Sequence, residues 1–178
     1  MKILTGHFEN ARHGWGYNLD FETHSTNLAG MQTPIYRCWL DADHPLQFRM
    51  KDGTVLRTTD GFPTDGGSVK PIAAQLWIPK DRFIGFLFHD DIYQHGGCWR
   101  KRPGCDWEWV RLSRAQADEL LRMMCRCDPV PCGAWKAGLV WAGVRIGGWV
   151  AWDGKQPHGP PPERPAKPDA DDGEVIGI

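Results

Sequence analysis

The chain has 178 residues, of which 41% are hydrophobic and 24% are charged, as in an ordinary globular protein. This length is enough for one domain with a buried core. The formal net charge is −1, so no global basic field favours a nucleic acid as partner. The basic run at residues 100–102 is interpreted as a solvated loop, and we expect no nucleic-acid binding.

The amino-terminal third predicts strands and turns. Residues 35–40 are typical of a strand, and residues 46–50 and 54–58 alternate apolar and polar side chains around Asp52-Gly53. An Asp-Gly turn between alternating segments indicates a β-hairpin. At residues 61–69, a proline, an aspartate and two adjacent glycines predict a shaped loop that exposes backbone carbonyls and amides in one concavity.

Helical spacing begins at Pro79, and the helix is predicted to end near Gly96-Gly97, where glycine can take a left-handed cap. A loop rich in Trp, Arg, Gly and Cys follows, to about Leu112. Ser113 and Gln116 then form the pattern of a capping box. The helix that they open is predicted to reach about Cys127. Its predicted inner face consists of Ala117, Leu120, Leu121 and Met124.

Residues 131–152 are the most apolar stretch, with Lys136 and Arg145 as its charges. A charge at the centre of a bilayer costs about 3 kcal/mol, so we interpret the stretch as a long buried helix and expect no transmembrane span. Residues 153–178 are rich in Pro, Gly and Asp and predict a disordered tail. Residues 1–15 contain no apolar run of the length that a secretory signal needs, which indicates a cytosolic location.

Together these elements predict an α+β fold. A small amino-terminal antiparallel β-sheet is followed by a bundle of about three helices, within one domain at residues 1–152. The cysteine spacing matches neither pair of a zinc ribbon, so buried reduced thiols are favoured over a zinc site. The cysteines weighed for zinc were Cys98, Cys105, Cys125, Cys127 and Cys132.

Polar residues within an apolar helix form the candidate chemical site. His89 and Tyr93 stand one turn apart, and Asp90 lies beside them. A buried histidine or carboxylate must be paired or bound to a metal. Asp118 interrupts the apolar face of the next helix, so it can accept hydrogen bonds from His89 and Tyr93. That contact would fix the histidine tautomer and leave its other nitrogen as a base.

Oxygen atoms near this pair suggest a cation. Asp90, Asp65 and the backbone carbonyls of Gly66 and Gly67 could supply ligands for a hard ion such as Ca²⁺. The same residues are equally explained as a structural polar network that holds two helices and a loop in register.

The combined motifs resemble a family of uncharacterised phage and prophage proteins, over about residues 30–152. The motifs are residues 61–69 (GFxTDGGSV, in which the variable position x is Pro63 here), His89-Asp90-x-x-Tyr93, Arg114-x-x-Ala117-Asp118 and Val144-Arg145-x-Gly147. The resemblance implies a location in the host cytoplasm or in the virion, with virion proteins as partners. This chain departs from the family pattern at Lys70, where the family places a proline.

Locally, His89-Asp90-x-x-Tyr93 is similar to the His-Asp helix of secreted phospholipases A2. In that family the histidine activates water, the adjacent aspartate binds calcium, and a second aspartate orients the histidine. The resemblance implies a lipid or ester substrate, His89 as base, Asp118 as orienting residue, and a calcium site at Asp90 and the glycine loop. Ile92 stands where the animal enzymes have a cysteine.

Three hypotheses remain at this point. The first is a calcium-assisted hydrolase of esters or phospholipids, and the second is a non-catalytic phage structural or accessory protein. A metal-dependent phosphohydrolase ranks last, because it needs further histidine ligands in a helical context. Five of the six other histidines are candidates, and none of them has the expected helical context; they are His7, His13, His24, His44 and His95.

Overall fold

The structure, a computed structural model, describes residues 6–9, 17–26, 32–40, 46–64, 84–127, 132–148 and 152. These ranges contain eight strands and three helices. The strands are β1 (Gly6–Glu9), β2 (Tyr17–Thr26), β3 (Gln32–Leu40), β4 (Gln47–Met50), β5 (Val55–Arg57), β6 (Phe62–Thr64), β7 (Gly97–Lys101) and β8 (Trp107–Arg111). The helices are α1 (Ile84–His95), α2 (Arg114–Met124) and α3 (Ala134–Gly147).

The strands form two antiparallel sheets, so the predicted α+β class is confirmed. One sheet has five strands in the order β1-β4-β5-β7-β8, and the other has three in the order β2-β3-β6. The predicted hairpin is present as β4 and β5, with Phe48 opposite Leu56. Its turn depends on Gly53, which adopts a φ of 84° that other residues rarely take.

The segment between α1 and α2 was predicted as a loop, and that prediction was wrong. Residues 97–111 form the hairpin β7–β8, with Cys98 opposite Val110. Gly96, at φ 68°, ends α1 as predicted, and its carbonyl accepts a 2.9 Å hydrogen bond from the amide of Leu112. The five-stranded sheet is therefore completed by residues that follow the first described helix. Arg100 also lies in a strand, not in the solvated loop that the sequence suggested.

A smaller correction concerns residues 61–69. Phe62–Thr64 form strand β6, which pairs with β3, whereas the loop predicted at residues 65–69 lies outside the described residues. The strand at residues 35–40 is confirmed within β3. Residues 79–83, where the first helix was predicted to begin, also lie outside the description, as does the predicted tail at residues 153–178.

Helix α2 begins as the sequence predicts. The Ser113 side chain accepts from the amide of Gln116, and the Gln116 side chain accepts from the amide of Ser113, which completes the capping box. The four predicted inner residues of α2 are all buried. The helix ends at Met124, three residues earlier than predicted, and Cys125 is its cap.

Helices α1 and α2 pack against each other in opposite directions. A Cβ built on Gly85, near the start of α1, would lie 3.0 Å from the Cβ of Met124 at the end of α2. Tyr93, near the end of α1, contacts Asp118 in the first half of α2. The fully buried Phe88 and Ile92 on α1 share one core with Phe48 of the five-stranded sheet and Phe62 of β6.

Helix α3 was predicted to be long and buried, and that prediction was wrong. Only Ala137 and Val140 are buried, whereas Trp135 is 69% exposed and Ile146 is 76% exposed. Ala137 and Val140 pack one side of α3 on Leu121 of α2 and on Phe86, whereas the large apolar side chains on its other side are exposed. Within the described ranges, no helix is long and apolar enough to cross a bilayer.

Gly97, at the start of β7, has no room for a side chain, and this gives a testable prediction. An alanine Cβ there would overlap the carbonyl oxygen of Val110 and lie 2.9 Å from the indole of Trp109. Because a backbone atom cannot move aside, we expect Gly97→Ala to lower the free energy of unfolding by about 2–3 kcal/mol in urea denaturation. Gly138→Ala is the control, since that position has open space within α3. It should be neutral or stabilising by up to about 1 kcal/mol, and equal losses in both variants would contradict this account.

Candidate functional site

The Asp118 carboxylate is the centre of the candidate site. It is 0% exposed, and its Oδ1 accepts from Nε2 of His89 at 3.0 Å and from the Tyr93 hydroxyl at 2.5 Å. Its Oδ2 accepts from Nη1 of Arg145 at 2.9 Å. Both contacts expected from the sequence are present, and the contact from Arg145 is additional.

The sequence brings these groups together through simple helix geometry. His89 and Tyr93 are four residues apart on α1, so their rings lie on one face with centroids 3.9 Å apart. Asp118 belongs to the buried face of α2 that packs against this face. The opposite directions of the two helices then bring one carboxylate oxygen within reach of both rings.

Arg145 connects α3 to the site, and the sequence analysis did not predict this contact. Its guanidinium binds Asp118, and its backbone carbonyl accepts from Nη1 of Arg114 at 3.2 Å. The chain beyond α3 also reaches Tyr93, since the rings of Tyr93 and Trp152 meet edge to face at 5.1 Å. The signal was Arg145 as one of two charges in an apolar segment, because a charge that is buried there needs a partner.

The three donors determine the ionisation of Asp118. Burial alone would raise the pKa of this carboxyl group, but the hydrogen bonds from His89, Tyr93 and Arg145 outweigh it and hold the pKa below its usual value. For Tyr93, burial and then its bond to Asp118 raise the pKa of the phenol. Asp118 is therefore ionised and Tyr93 is a neutral donor near pH 7.

An ionised Asp118 also determines the histidine tautomer. A carboxylate only accepts hydrogen bonds, so Nε2 of His89 must carry the proton in this contact. In a neutral ring Nδ1 is then the nitrogen with a lone pair. Within the described part of the chain Nδ1 makes no hydrogen bond, and His89 as a whole is 6% exposed. The ring is thus oriented at one nitrogen and has a lone pair at the other.

Asp90 lies beside His89 but faces a different neighbour. It is half-buried, and its Oδ2 accepts from the Thr64 hydroxyl at 2.5 Å. Thr64 directly precedes Asp65 in the sequence, and the other predicted cation ligands, Asp65, Gly66 and Gly67, lie outside the described residues. Across the ranges that the structure does describe, no group of three or more His, Cys, Asp or Glu side chains is arranged to hold a metal ion.

A second fully buried acid, which lies on α1, was not predicted from the sequence. Asp91 is 0% exposed, and it accepts from the amide of Thr59 at 2.9 Å and from the Thr59 hydroxyl. It also contacts Nδ1 of His95 at 2.8 Å, one turn further along the helix. Burial raises the pKa of Asp91 despite the opposing bonds from His95 and Thr59. The sequence signal was an acid and a histidine four residues apart. The sequence analysis gave His95 no helical context, and that was wrong, because His95 is the last residue of α1.

The cysteines considered for zinc differ in exposure and in surroundings. Cys98, Cys125 and Cys127 are buried, Cys105 is exposed, and Cys132 is half-buried. Burial raises the pKa of Cys98 to about 12. A hydrogen bond between the Cys125 and Cys132 thiols raises the pKa of Cys125 and lowers that of Cys132.

Comparisons with protein-family models, with curated proteins and with solved structures found no match to this chain. The chemistry of the site is therefore argued from its own geometry.

The ionised Asp118 predicts a specific pH dependence of stability. Its pKa is lower in the folded protein than the value of about 3.9 in an unfolded chain. Its contribution is thus fully present above that unfolded pKa and is lost as the pH falls through the folded pKa. We expect Asp118→Asn to lower the free energy of unfolding by about 3 kcal/mol at pH 7, because Arg145 loses its anionic partner. The difference should shrink as the pH approaches 3, measured by urea denaturation across a pH series.

Asp52→Asn is the matched control for this experiment. Asp52 is an exposed carboxylate whose pKa is also lowered, through its bonds to Thr54. Its replacement leaves no buried charge without a partner. The free energy of unfolding of Asp52→Asn at pH 7 should therefore fall by less than about 1 kcal/mol. A pH-independent difference for Asp118→Asn would show that the carboxylate charge is not what stabilises this site.

Proposed function

We propose that this protein is a hydrolase of carboxylic esters in which His89 is the general base. The observation that carries the proposal is the orientation of His89 by Asp118, with Nε2 bonded at 3.0 Å and Nδ1 without a partner among the described residues. A base needs a fixed tautomer, an orienting group and a lone pair toward the reacting water. His89 meets the first two requirements through one hydrogen bond.

The proposed reaction uses only proton and acyl transfer. Nδ1 of His89 removes a proton from water while the water oxygen attacks the ester carbonyl carbon. The resulting imidazolium is stabilised by the Asp118 carboxylate, which stays ionised because Arg145 and Tyr93 also bind it. When the tetrahedral intermediate collapses, the carbon–oxygen bond to the alcohol breaks, and Nδ1 returns the proton to the leaving alkoxide. The products are a carboxylic acid and an alcohol.

Calcium is the second part of the proposal. Asp90, Asp65 and the carbonyls of Gly66 and Gly67 would hold the ion, which would polarise the ester carbonyl when bound. Two observations support this assignment: Asp90 is adjacent to His89, and its carboxylate is bonded to Thr64, the residue before Asp65. The described oxygen atoms are fewer than the roughly six to eight that Ca²⁺ requires, so residues 65–67 would have to supply further ligands.

The substrate and biological context follow from the resemblances. The His-Asp helix favours a phospholipid or another lipid ester, and the phage-type motifs favour action in the host cytoplasm or as part of a virion. These assignments rest on motifs alone, and the ester chemistry of His89 does not depend on them.

One observation favours a second candidate, a non-catalytic protein of the same phage type in which the network only holds the helices together. Asp118 is fully buried, and its donors come from both α1 and α3. Such a carboxylate aligns three helices whether or not the protein has a substrate. The two functions differ in what they require of Nδ1 of His89.

His89→Gln separates the two candidates. The glutamine amide can still donate to Asp118 in place of Nε2, but it has no basic nitrogen. We expect hydrolysis of short-chain p-nitrophenyl esters and dispersed phospholipids to fall at least about 100-fold, with the melting temperature within a few degrees of wild type. Wild-type protein without esterase activity, or a variant with full activity, would contradict the hydrolase.

Tyr93→Phe is the matched control for that variant. It removes one donor to Asp118 but leaves the His89 ring and its bond to the carboxylate in place. We expect a stability loss of about 1 kcal/mol and activity within about tenfold of wild type. A non-catalytic network predicts instead that neither variant changes a background rate of ester hydrolysis, whatever its stability.

Calcium binding is tested by thermal unfolding in chelator and in millimolar Ca²⁺, with Mg²⁺ and Zn²⁺ as controls. A ligand that binds the native state raises the melting temperature once its concentration exceeds its dissociation constant. We expect a Ca²⁺-selective rise that is absent in Asp90→Asn and kept in Asp52→Asn, whose carboxylate lies away from the site at the β4–β5 turn. The absence of any shift would remove calcium from the proposal but leave the His89 chemistry to its own test.

A further inference from the structure

A cavity of about 750 Å³ lies between helix α2 and the five-stranded sheet. This volume falls within the range of about 300–1,000 Å³ that is usual for small-molecule sites. No residue of the His89 site lines the cavity: Asp118 faces α1, whereas the neighbouring Glu119 and Met123 face the cavity. The two sites therefore use different faces of the same helix.

The walls of the cavity are mainly apolar. Leu56, Cys98 and Val110 line it from the sheet, and Leu120 and Met123 line it from α2. None of these side chains can pair with a polar ligand group, apart from the weak thiol of Cys98. Burial raises the pKa of that thiol to about 12, so it stays neutral. Such walls favour a hydrocarbon chain, and the flexible Met123 can adapt to its shape.

The charged residues of the cavity are mostly basic. Four arginines line it, namely Arg100, Arg102, Arg122 and Arg126, against two acids, Asp52 and Glu119. Arg122 is already paired with Glu119, and Arg100 and Arg102 share Glu108 at 2.9 and 3.2 Å.

Arg126 differs from the other three arginines. Arg126 is exposed, and among the described residues its side chain makes no hydrogen bond and no ion pair with a carboxylate; its charge does help to lower the pKa of the Cys132 thiol. It lies two residues beyond the end of α2 and lines the cavity together with Arg122. An arginine without a carboxylate partner beside an apolar cavity is suited to an anionic group, since guanidinium binds carboxylates with two parallel hydrogen bonds.

From this arrangement we infer that the cavity binds a single-chain anionic amphiphile of the fatty-acid type. The hydrocarbon chain lies between the sheet and α2, and the carboxylate binds Arg126. A cationic amphiphile is disfavoured by the excess of arginines, and a neutral one leaves Arg126 without a carboxylate partner. The inference is independent of the ester hydrolysis proposed for His89.

The test is titration calorimetry with dodecanoate, 1-dodecanol and dodecyltrimethylammonium, each kept below the concentration at which it aggregates. Dodecanoate should bind at least tenfold more tightly than either of the other two. Arg126→Glu should lower the affinity for dodecanoate at least tenfold while changing the affinity for 1-dodecanol less than twofold, because only the head-group contact is altered. A variant that merely damaged the fold would lower the affinity for both ligands together.

Lys101→Glu is the charge-matched control, since Lys101 is an exposed base on β7 that does not line the cavity. It should bind dodecanoate like wild type, and so should His89→Gln, which separates this inference from the proposed hydrolysis. Affinity should also rise from octanoate to dodecanoate as more chain is buried. The inference is overturned if dodecanoate does not bind, if the cationic detergent binds equally well, or if Arg126→Glu and Lys101→Glu have the same effect.

Discussion

The buried carboxylate of Asp118 is the constraint on which the arrangement of the three helices depends. An ion with no access to water is costly unless every lone pair is used. Here the histidine and tyrosine of α1 and the arginine of α3 supply the required donors. Because α2 carries the carboxylate, none of the three helices can shift without exposing a charge to an apolar environment.

The two fully buried carboxylates of the described residues have opposite electrostatic environments. Asp118 pairs with a permanent cation, and its pKa is lowered, whereas Asp91 pairs with Thr59 and His95, and its pKa is raised. They lie on different helices and have no partner in common. A pair of groups whose ionisation is driven apart is a feature of many active sites. Here each carboxylate contacts a histidine, but the pKa of the carboxyl group is lowered only for Asp118. The contrast is why the proposed chemistry is assigned to His89 and not to His95.

Much of this site could be predicted because its signals are local. The four-residue spacing of His89 and Tyr93, and the polar Asp118 on an apolar helix face, follow from helical periodicity. The partner of Arg145 could not be predicted, because nothing in the periodicity of α3 says which helix it packs against. For the same reason composition made α3 seem buried, although Trp135 and Ile146 are largely exposed.

The β7–β8 hairpin was missed for a different physical reason. Alternation is the usual strand signal, but both faces of β7 carry large or apolar side chains, with Cys98 on one face and Trp99 on the other. Trp99 packs edge to face on Trp109 at 5.5 Å, so its face of the sheet is not polar. Without a polar face the period of two disappears from the sequence.

That hairpin also shortens the loop that must close when the two helices meet during folding. His89 and Asp118 are 29 residues apart, but pairing of Gly97 with Arg111 removes about half of the intervening chain from the loop. Halving a loop reduces its closure entropy by about 0.6 kcal/mol. If the hairpin forms first, the two helices then meet as near neighbours in an αα pair. Residues far from the carboxylate thus lower the entropic barrier to its burial.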